Sequence, residues 1–216
     1  LSTVAFLVYK EWAPSDNSAA TIYYISPNGN DSTGNGSTNS PWKTIEKADS
    51  AISPGDTVIL KDGVYQGAGQ AYMSISKAGT TWRAENKHQA IIDGGFSPGA
   101  LNGDWDTIVA LWNNRCSDKG EFSSLLKVES ISNVTIDGLF IRNSCGRGIA
   151  TNPSGSVGAG DNIKFQNLRI DWTFNSAVFA RPDHTEKALY PNQLRNFQFL
   201  NNIVTRASIG DEYNVR

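Results

Sequence analysis

The sequence predicts an all-β solenoid, a chain of short strands wound into stacked coils, and three observations carry that reading. The first is composition. The 216 residues include 20 Gly, 20 Asn and 22 Ser, with one Met and 19% charged residues, a mixture suited to strands broken by tight turns. The second is a recurring pattern of Asn, apolar, any, apolar, any, then Gly or Asn, with another apolar residue eight positions after the first Asn. It occurs as Asn133-Val134-Thr135-Ile136-Asp137-Gly138 with Ile141, as Asn162-Ile163-Lys164-Phe165-Gln166-Asn167 with Ile170, and as Asn196-Phe197-Gln198-Phe199-Leu200-Asn201 with Val204. The third is its period, 29 and then 34 residues between successive first asparagines. Repetition at such a period marks an architecture in which each repeat supplies one layer and buries its apolar face only by stacking.

The elements follow in order. Residues 1–21 read as an N-terminal extension or strand, with an apolar run over 4–9, and residues 22–216 as the solenoid. Residues 23–27 form a strand that runs into an Asn, Gly and Ser-rich loop over 28–40. Ser40 then Pro41 offers an N-cap with proline at the first helical position, and Ile45, Ala48 and Ile52 recur at helical spacing, so one short helix is expected over 42–52, ended by Pro54-Gly55. Residues 56–65 and 73–76 read as strands, and everything downstream as further short strands. Gln89-Ala90-Ile91-Ile92-Asp93-Gly94 looks like a degenerate first copy of the repeat, and its distance from Asn133 leaves room for an inserted loop carrying Trp105, Trp112 and Cys116. Stacking the copies sets Val134/Ile163/Phe197, Ile136/Phe165/Phe199 and Ile141/Ile170/Val204 in inward columns. The asparagines 133, 162 and 196 then form a side-chain amide ladder at a turn.

Charge and cysteine count bound the function. With 19 basic against 21 acidic residues and a pI near 5.7, there is no cationic surface to expect for nucleic acid or an anionic membrane. The early apolar run is far below the roughly 20 residues that span a bilayer, so no membrane span is expected. The two cysteines, Cys116 and Cys145, fit one disulfide or two separate thiols. Tying the insertion to the next coil favours the disulfide. Asn30 and Asn35 head glycosylation acceptor triplets, and Asn133 does so as well.

The stretch Tyr24-Ile25-Ser26-Pro27-Asn28-Gly29-Asn30-Asp31, then Pro41-Trp42-Lys43-Thr44-Ile45 and Pro54-Gly55-Asp56-Thr57-Val58-Ile59-Leu60, resembles the N-terminal cap and first coil of right-handed parallel β-helix proteins of the pectate-lyase-like superfamily. Gly63-Val64-Tyr65 and Ile91-Ile92-Asp93-Gly94 continue the likeness. The resemblance implies a right-handed parallel β-helix with a short N-terminal capping helix, an extracellular or cell-surface location, and action on or binding of polysaccharide in the manner of a lyase or glycoside hydrolase. Calcium is a possible cofactor on the same ground. In this family more coils usually follow; here about five are expected, with no recognisable C-terminal cap. That pattern leaves a second reading open, a structural subunit of an extracellular fibre joined to copies of itself or another subunit through its coil ends and the 4–9 strand.

Candidate site residues come from the outward positions. Arg142 and Asp171 share a column, with Trp172 beside them as a sugar-stacking plate, and Arg181, Asp183 and His184 lie in a loop between coils. A lyase needs a base and a cation, a glycosidase two carboxylates flanking a cleft. Asp161 with Asp171, or Asp211 with Glu212, are available for the second chemistry. Asn28, Asn30 and Asp31 make an oxygen-rich loop without the bidentate Glu of a calcium loop, and no metal-ligand set stands out.

Overall fold

A computed structural model describes residues 19–96, 105–116, 118–119, 123–128, 130–151, 160–180 and 195–207. In chain order the elements are β1 (Ile22–Ile25), α1 (Ile45–Ala51), β2 (Thr57–Leu60), β3 (Gly63–Gln66), β4 (Met73–Ile75), β5 (Thr81–Ala84), β6 (Ala90–Asp93), α2 (Trp105–Cys116), β7 (Ser124–Val128), β8 (Thr135–Asp137), β9 (Phe140–Ser144), β10 (Arg147–Thr151), β11 (Lys164–Gln166), β12 (Arg169–Thr173), β13 (Val178–Ala180), β14 (Gln198–Leu200) and β15 (Ile203–Thr205). From β2 onward every third strand stacks on the last, and β1 pairs with β2 at the start. β1, β2, β5, β8, β11 and β14 make a six-stranded sheet, β3, β6, β9, β12 and β15 a five-stranded one, and β4, β7, β10 and β13 a four-stranded one. All pairings between named strands are parallel. The chain is a right-handed parallel β-helix, the hand that parallel crossover connections take almost without exception.

The repeat motif has a backbone cause at both ends. Asn133, Asn162 and Asn196 adopt φ of 61°, 55° and 54°, and the closing Gly138, Asn167 and Asn201 adopt 72°, 53° and 54°. Left-handed backbone is open to Gly and tolerated by Asn, so the two punctuation marks bracket each three-residue strand. The amide ladder forms: Asn162 Nδ2 donates to Asn133 Oδ1 at 2.7 Å and Asn196 Nδ2 to Asn162 Oδ1 at 2.8 Å. The inward row Val58, Trp82, Ile136 and Phe165 is 0–1% exposed and continues to Phe199 at 40%, at the last described coil. In the five-stranded sheet Tyr65, Ile92, Ile141 and Ile170 do the same.

Three expectations are corrected. The helix starts at Ile45, not 42, because Pro41 and Trp42 stay extended: Trp42 bridges Ile25 and its ring stacks on Tyr23 at 4.9 Å. Its N-cap is Thr44, whose side chain accepts from Lys47 N while Asp31 accepts from Lys43 N, Thr44 N and Thr44 Oγ1. The helix still buries Ile45 and Ala48 at the end of the core. Gln89 to Gly94 is no copy of the 133 repeat; β6 pairs with β9, whereas β8 pairs with β5, so the true earlier copy is the stretch around Trp82. The insertion is not all loop either, since Trp105–Cys116 is helical. Residues 4–9 lie outside the described residues. Among the described residues no helix is long and apolar enough to cross a membrane.

Candidate functional site

The insertion and the outward face of the four-stranded sheet meet at one groove. Strand alternation turns Leu126 and Ile149 inward, where both are buried, and puts Ser74, Lys127, Ala150 and Phe179 in one outward row. Arg147, paired with Ser124 across the coils, places its guanidinium 3.6 Å from the centre of the Phe179 ring. Together with Tyr72 these residues line a groove of about 220 Å³. An arginine flat on an aromatic ring is pre-oriented and weakly hydrated, which suits it to a planar anion. Lys127 adds a second positive charge to the same floor.

Tyr72 is held from both sides. Its backbone is left-handed at φ 59°, and its hydroxyl accepts from Cys145 N at 2.9 Å. Burial raises its pKa, partly offset by that backbone N–H, so the phenol stays neutral. Cys145 is joined to Cys116 by a disulfide, and its carbonyl accepts from Trp112 Nε1 at 2.6 Å. Trp112 stacks on Phe174 at 5.0 Å, and Phe96 meets Phe174 edge-on. This aromatic cluster, apart from the main core, fastens α2 to the coil that carries Arg147.

The residues singled out in the sequence fall elsewhere. Arg142 and Asp171 do face each other on adjacent coils of the five-stranded sheet, but each is engaged with another partner. Arg142 Nε donates to Asp93 Oδ2 at 2.7 Å, and Arg206 is paired with Asp171. Asp171 is buried rather than solvated. Its burial pushes the carboxyl up, but the hydrogen bond and charge of Arg206 outweigh it and hold the pKa below the usual range. These pairs join coil to coil. Trp172 sits at φ 55° with the Arg206 guanidinium 4.6 Å from its ring centre, so that cation already covers part of the plate. Arg181, Asp183 and His184 lie outside the described residues, as do Asp211 and Glu212. Asp161 is bound to Arg195.

Asn30 and Asn35 are exposed, with each side-chain oxygen accepting from a backbone N–H two residues on. Calcium, which the family resemblance allows, is not served by the oxygen-rich 28–31 loop: the Asp31 oxygens accept from the helix cap and Asn30 Oδ1 from Ser32 N and Thr33 N. Among the described residues no three of His, Cys, Asp and Glu converge as a metal site would require.

Lys127, Arg147, Phe179 and Tyr72 escaped the sequence reading. The one available signal was Lys127 as a polar break in Leu125-Leu126-Lys127-Val128. Arg147 and Phe179 become neighbours only through the pairing of strands β10 and β13, which no repeat motif marks.

No protein-family profile matches the chain. A curated lacto-N-biosidase of Bifidobacterium longum subsp. longum is 28% identical over 148 residues, 62% of this chain and 9% of that protein. Among solved structures, a rhamnogalacturonan lyase superposes with a TM-score of 0.51 at 19% identity, over 72% of this chain and 37% of that one. A pectate lyase matches with a TM-score of 0.49 at 19% identity, over 88% and 47%. The chain thus spans well under half the length of the lyase and about a tenth of the biosidase. With its three parallel sheets, its N-terminal capping helix and this likeness to a rhamnogalacturonan lyase, the chain has a right-handed parallel β-helix fold.

Proposed function

We propose that this β-helix binds or acts on an acidic polysaccharide, seated in the groove across the four-stranded sheet. The observation that carries the reading is the Arg147 guanidinium stacked on Phe179 beside Lys127. The Arg147 guanidinium, oriented by the Phe179 ring, and the Lys127 ammonium take a uronate carboxylate by charge-assisted hydrogen bonds, and the aromatic walls take the apolar face of a sugar ring. The named activities of the biosidase and the lyase, both directed at glycans, support the class of ligand without choosing between hydrolysis and elimination. The disulfide supports an oxidising, secreted or cell-surface setting.

The test is isothermal titration with oligogalacturonides, together with absorbance in the ultraviolet band of unsaturated uronates. Hydrogen bonds to a charged group are worth about 1.5–3 kcal/mol each, so Arg147→Ala weakens binding about 10- to 100-fold. New absorbance on incubation assigns elimination. Failure of the wild-type protein to bind any acidic glycan refutes the proposal.

A further inference from the structure

The outer face of the five-stranded sheet carries a second cluster of arginine on an aromatic ring, on a different sheet from the groove. Alternation buries Ile141 and Ile170 and turns Phe140, Arg142, Arg169 and Asp171 to the outer side. Phe140 faces outward yet is only 9% exposed, and two guanidiniums from adjacent coils lie over its ring. The central guanidinium carbon of Arg142 is 5.5 Å from the ring centre and that of Arg169 is 4.5 Å away. We infer that Arg142 and Arg169 form a binding site for a tetrahedral oxyanion of the phosphate or sulfate type, held between the two guanidiniums. The site stands independently of the glycan reading above.

Hydrogen-bond accounting carries the inference. Arg142 is anchored through Nε, which donates to Asp93 Oδ2 at 2.7 Å, and its two terminal nitrogens donate to no described acceptor. Arg169 makes no side-chain hydrogen bond or ion pair with a described residue; the Phe140 ring is what places its guanidinium. The carboxylates of this face are engaged elsewhere. Asp93 also accepts from Asn143 Nδ2 at 3.0 Å and from Gly95 N at 2.9 Å, and Asp171 is paired with Arg206. Two like charges held on one ring repel each other, and an anion that accepts from both forks removes that cost.

Shape selects the anion. A planar carboxylate matches the fork of a single guanidinium. In the register of the sheet Arg142 stands opposite Asp171 and Arg169 opposite Phe140, so the two forks belong to different coils and lie on a diagonal. An anion serving both needs oxygens in more than one plane, which a tetrahedral group supplies. Arg142 is pre-oriented by Asp93 and Arg169 by Phe140, so little freedom is lost on binding.

Arg169 is exposed, so Arg169→Gln removes one fork and leaves the core intact. Isothermal titration at pH 8 and low salt compares inorganic phosphate, inorganic sulfate, phenyl phosphate and acetate. The wild type is expected to bind one inorganic phosphate or sulfate per chain, at least tenfold more tightly than acetate. Arg169→Gln, with native circular dichroism, should weaken phosphate at least tenfold, whereas Arg83→Gln, which removes an arginine from the six-stranded sheet, should leave it unchanged. Phenyl phosphate bound as tightly as phosphate assigns the site to a phosphate group carried on a larger molecule, and exclusion of phenyl phosphate assigns it to the free ion. The inference is overturned by a wild type that binds neither inorganic ion saturably, by acetate bound as tightly as phosphate, or by equal losses in Arg169→Gln and Arg83→Gln. None of these results bears on the glycan reading.

Discussion

Removing the Cys116–Cys145 disulfide tests how the insertion is held. The bond closes a loop with a sequence separation of 29. The chain-entropy treatment of a loop of that size gives about 3.6 kcal/mol of stabilisation from the lost freedom of the unfolded chain. A domain of this length moves its unfolding midpoint by roughly 2–4 °C per kcal/mol, so Cys116→Ser/Cys145→Ser should melt about 7–14 °C lower. Thermal unfolding followed by far-ultraviolet circular dichroism measures it, with the wild type in reductant as a second route to the same state. The solenoid itself should persist at room temperature, because its parallel ladders and the main core do not include the two sulfurs. A midpoint within about 2 °C of wild type would refute the reasoning. It would mean that the Trp112–Phe174 stack and the Trp112 bond to Cys145 O already confine the loop.

Three further outcomes follow from the same structure. Ile136→Ala, at a fully buried position between Trp82 and Phe165, should cost about 2–5 kcal/mol by urea denaturation, and a loss under 1 kcal/mol would show that the inward row repacks. Asn162→Ala removes both rungs of the amide ladder and puts a Cβ residue without a side-chain amide at φ 55°, a loss of about 1–3 kcal/mol; Asn162→Gly relieves the backbone part and should be the milder variant, and the reverse order would sink the left-handed-turn account. Asp171 has a carboxyl pKa lowered by Arg206 against its burial, so its contribution is complete above the unfolded value of about 3.9 and disappears as pH falls through the lower folded value. The drop in melting midpoint between pH 5 and pH 2.5 should therefore be smaller in Asp171→Asn than in the wild type, and identical slopes would contradict the pairing.

Much of the fold was legible because its determinants are local. The Asn and Gly positions that mark the repeat are those where the backbone is left-handed, and Val134, Ile136, Ile163 and Phe165 are buried. The start of α1 was misplaced because Ser40-Pro41 carries a cap signature, while the true cap depends on Asp31 reaching Thr44 from 13 residues away. The candidate site was mostly illegible. Arg142 and Asp171 have suitable chemistry in a shared column, yet Asp93 and Arg206, each from another coil, neutralise them.

What the sequence by itself determined is the winding: glycines and asparagines at turns, alternation within strands, and a period of about one coil, all set by backbone sterics and by the burial of alternate side chains. The tertiary structure alone decided which side chains meet. Coils of unequal length change the chain spacing between stacked residues, 54 from Arg83 to Asp137 but 29 from Asp137 to Gln166, and the insertion with α2 lies between β6 and β7. Only strand pairing brings Arg147 onto Phe179 and Lys127 into the same floor, and only the Cys145 turn fixes Tyr72 at the edge of that groove. The physical reason is that turns and alternation act over a few residues, whereas a binding groove on a solenoid is assembled across coils, between residues joined by hydrogen-bonded register and not by proximity in the chain.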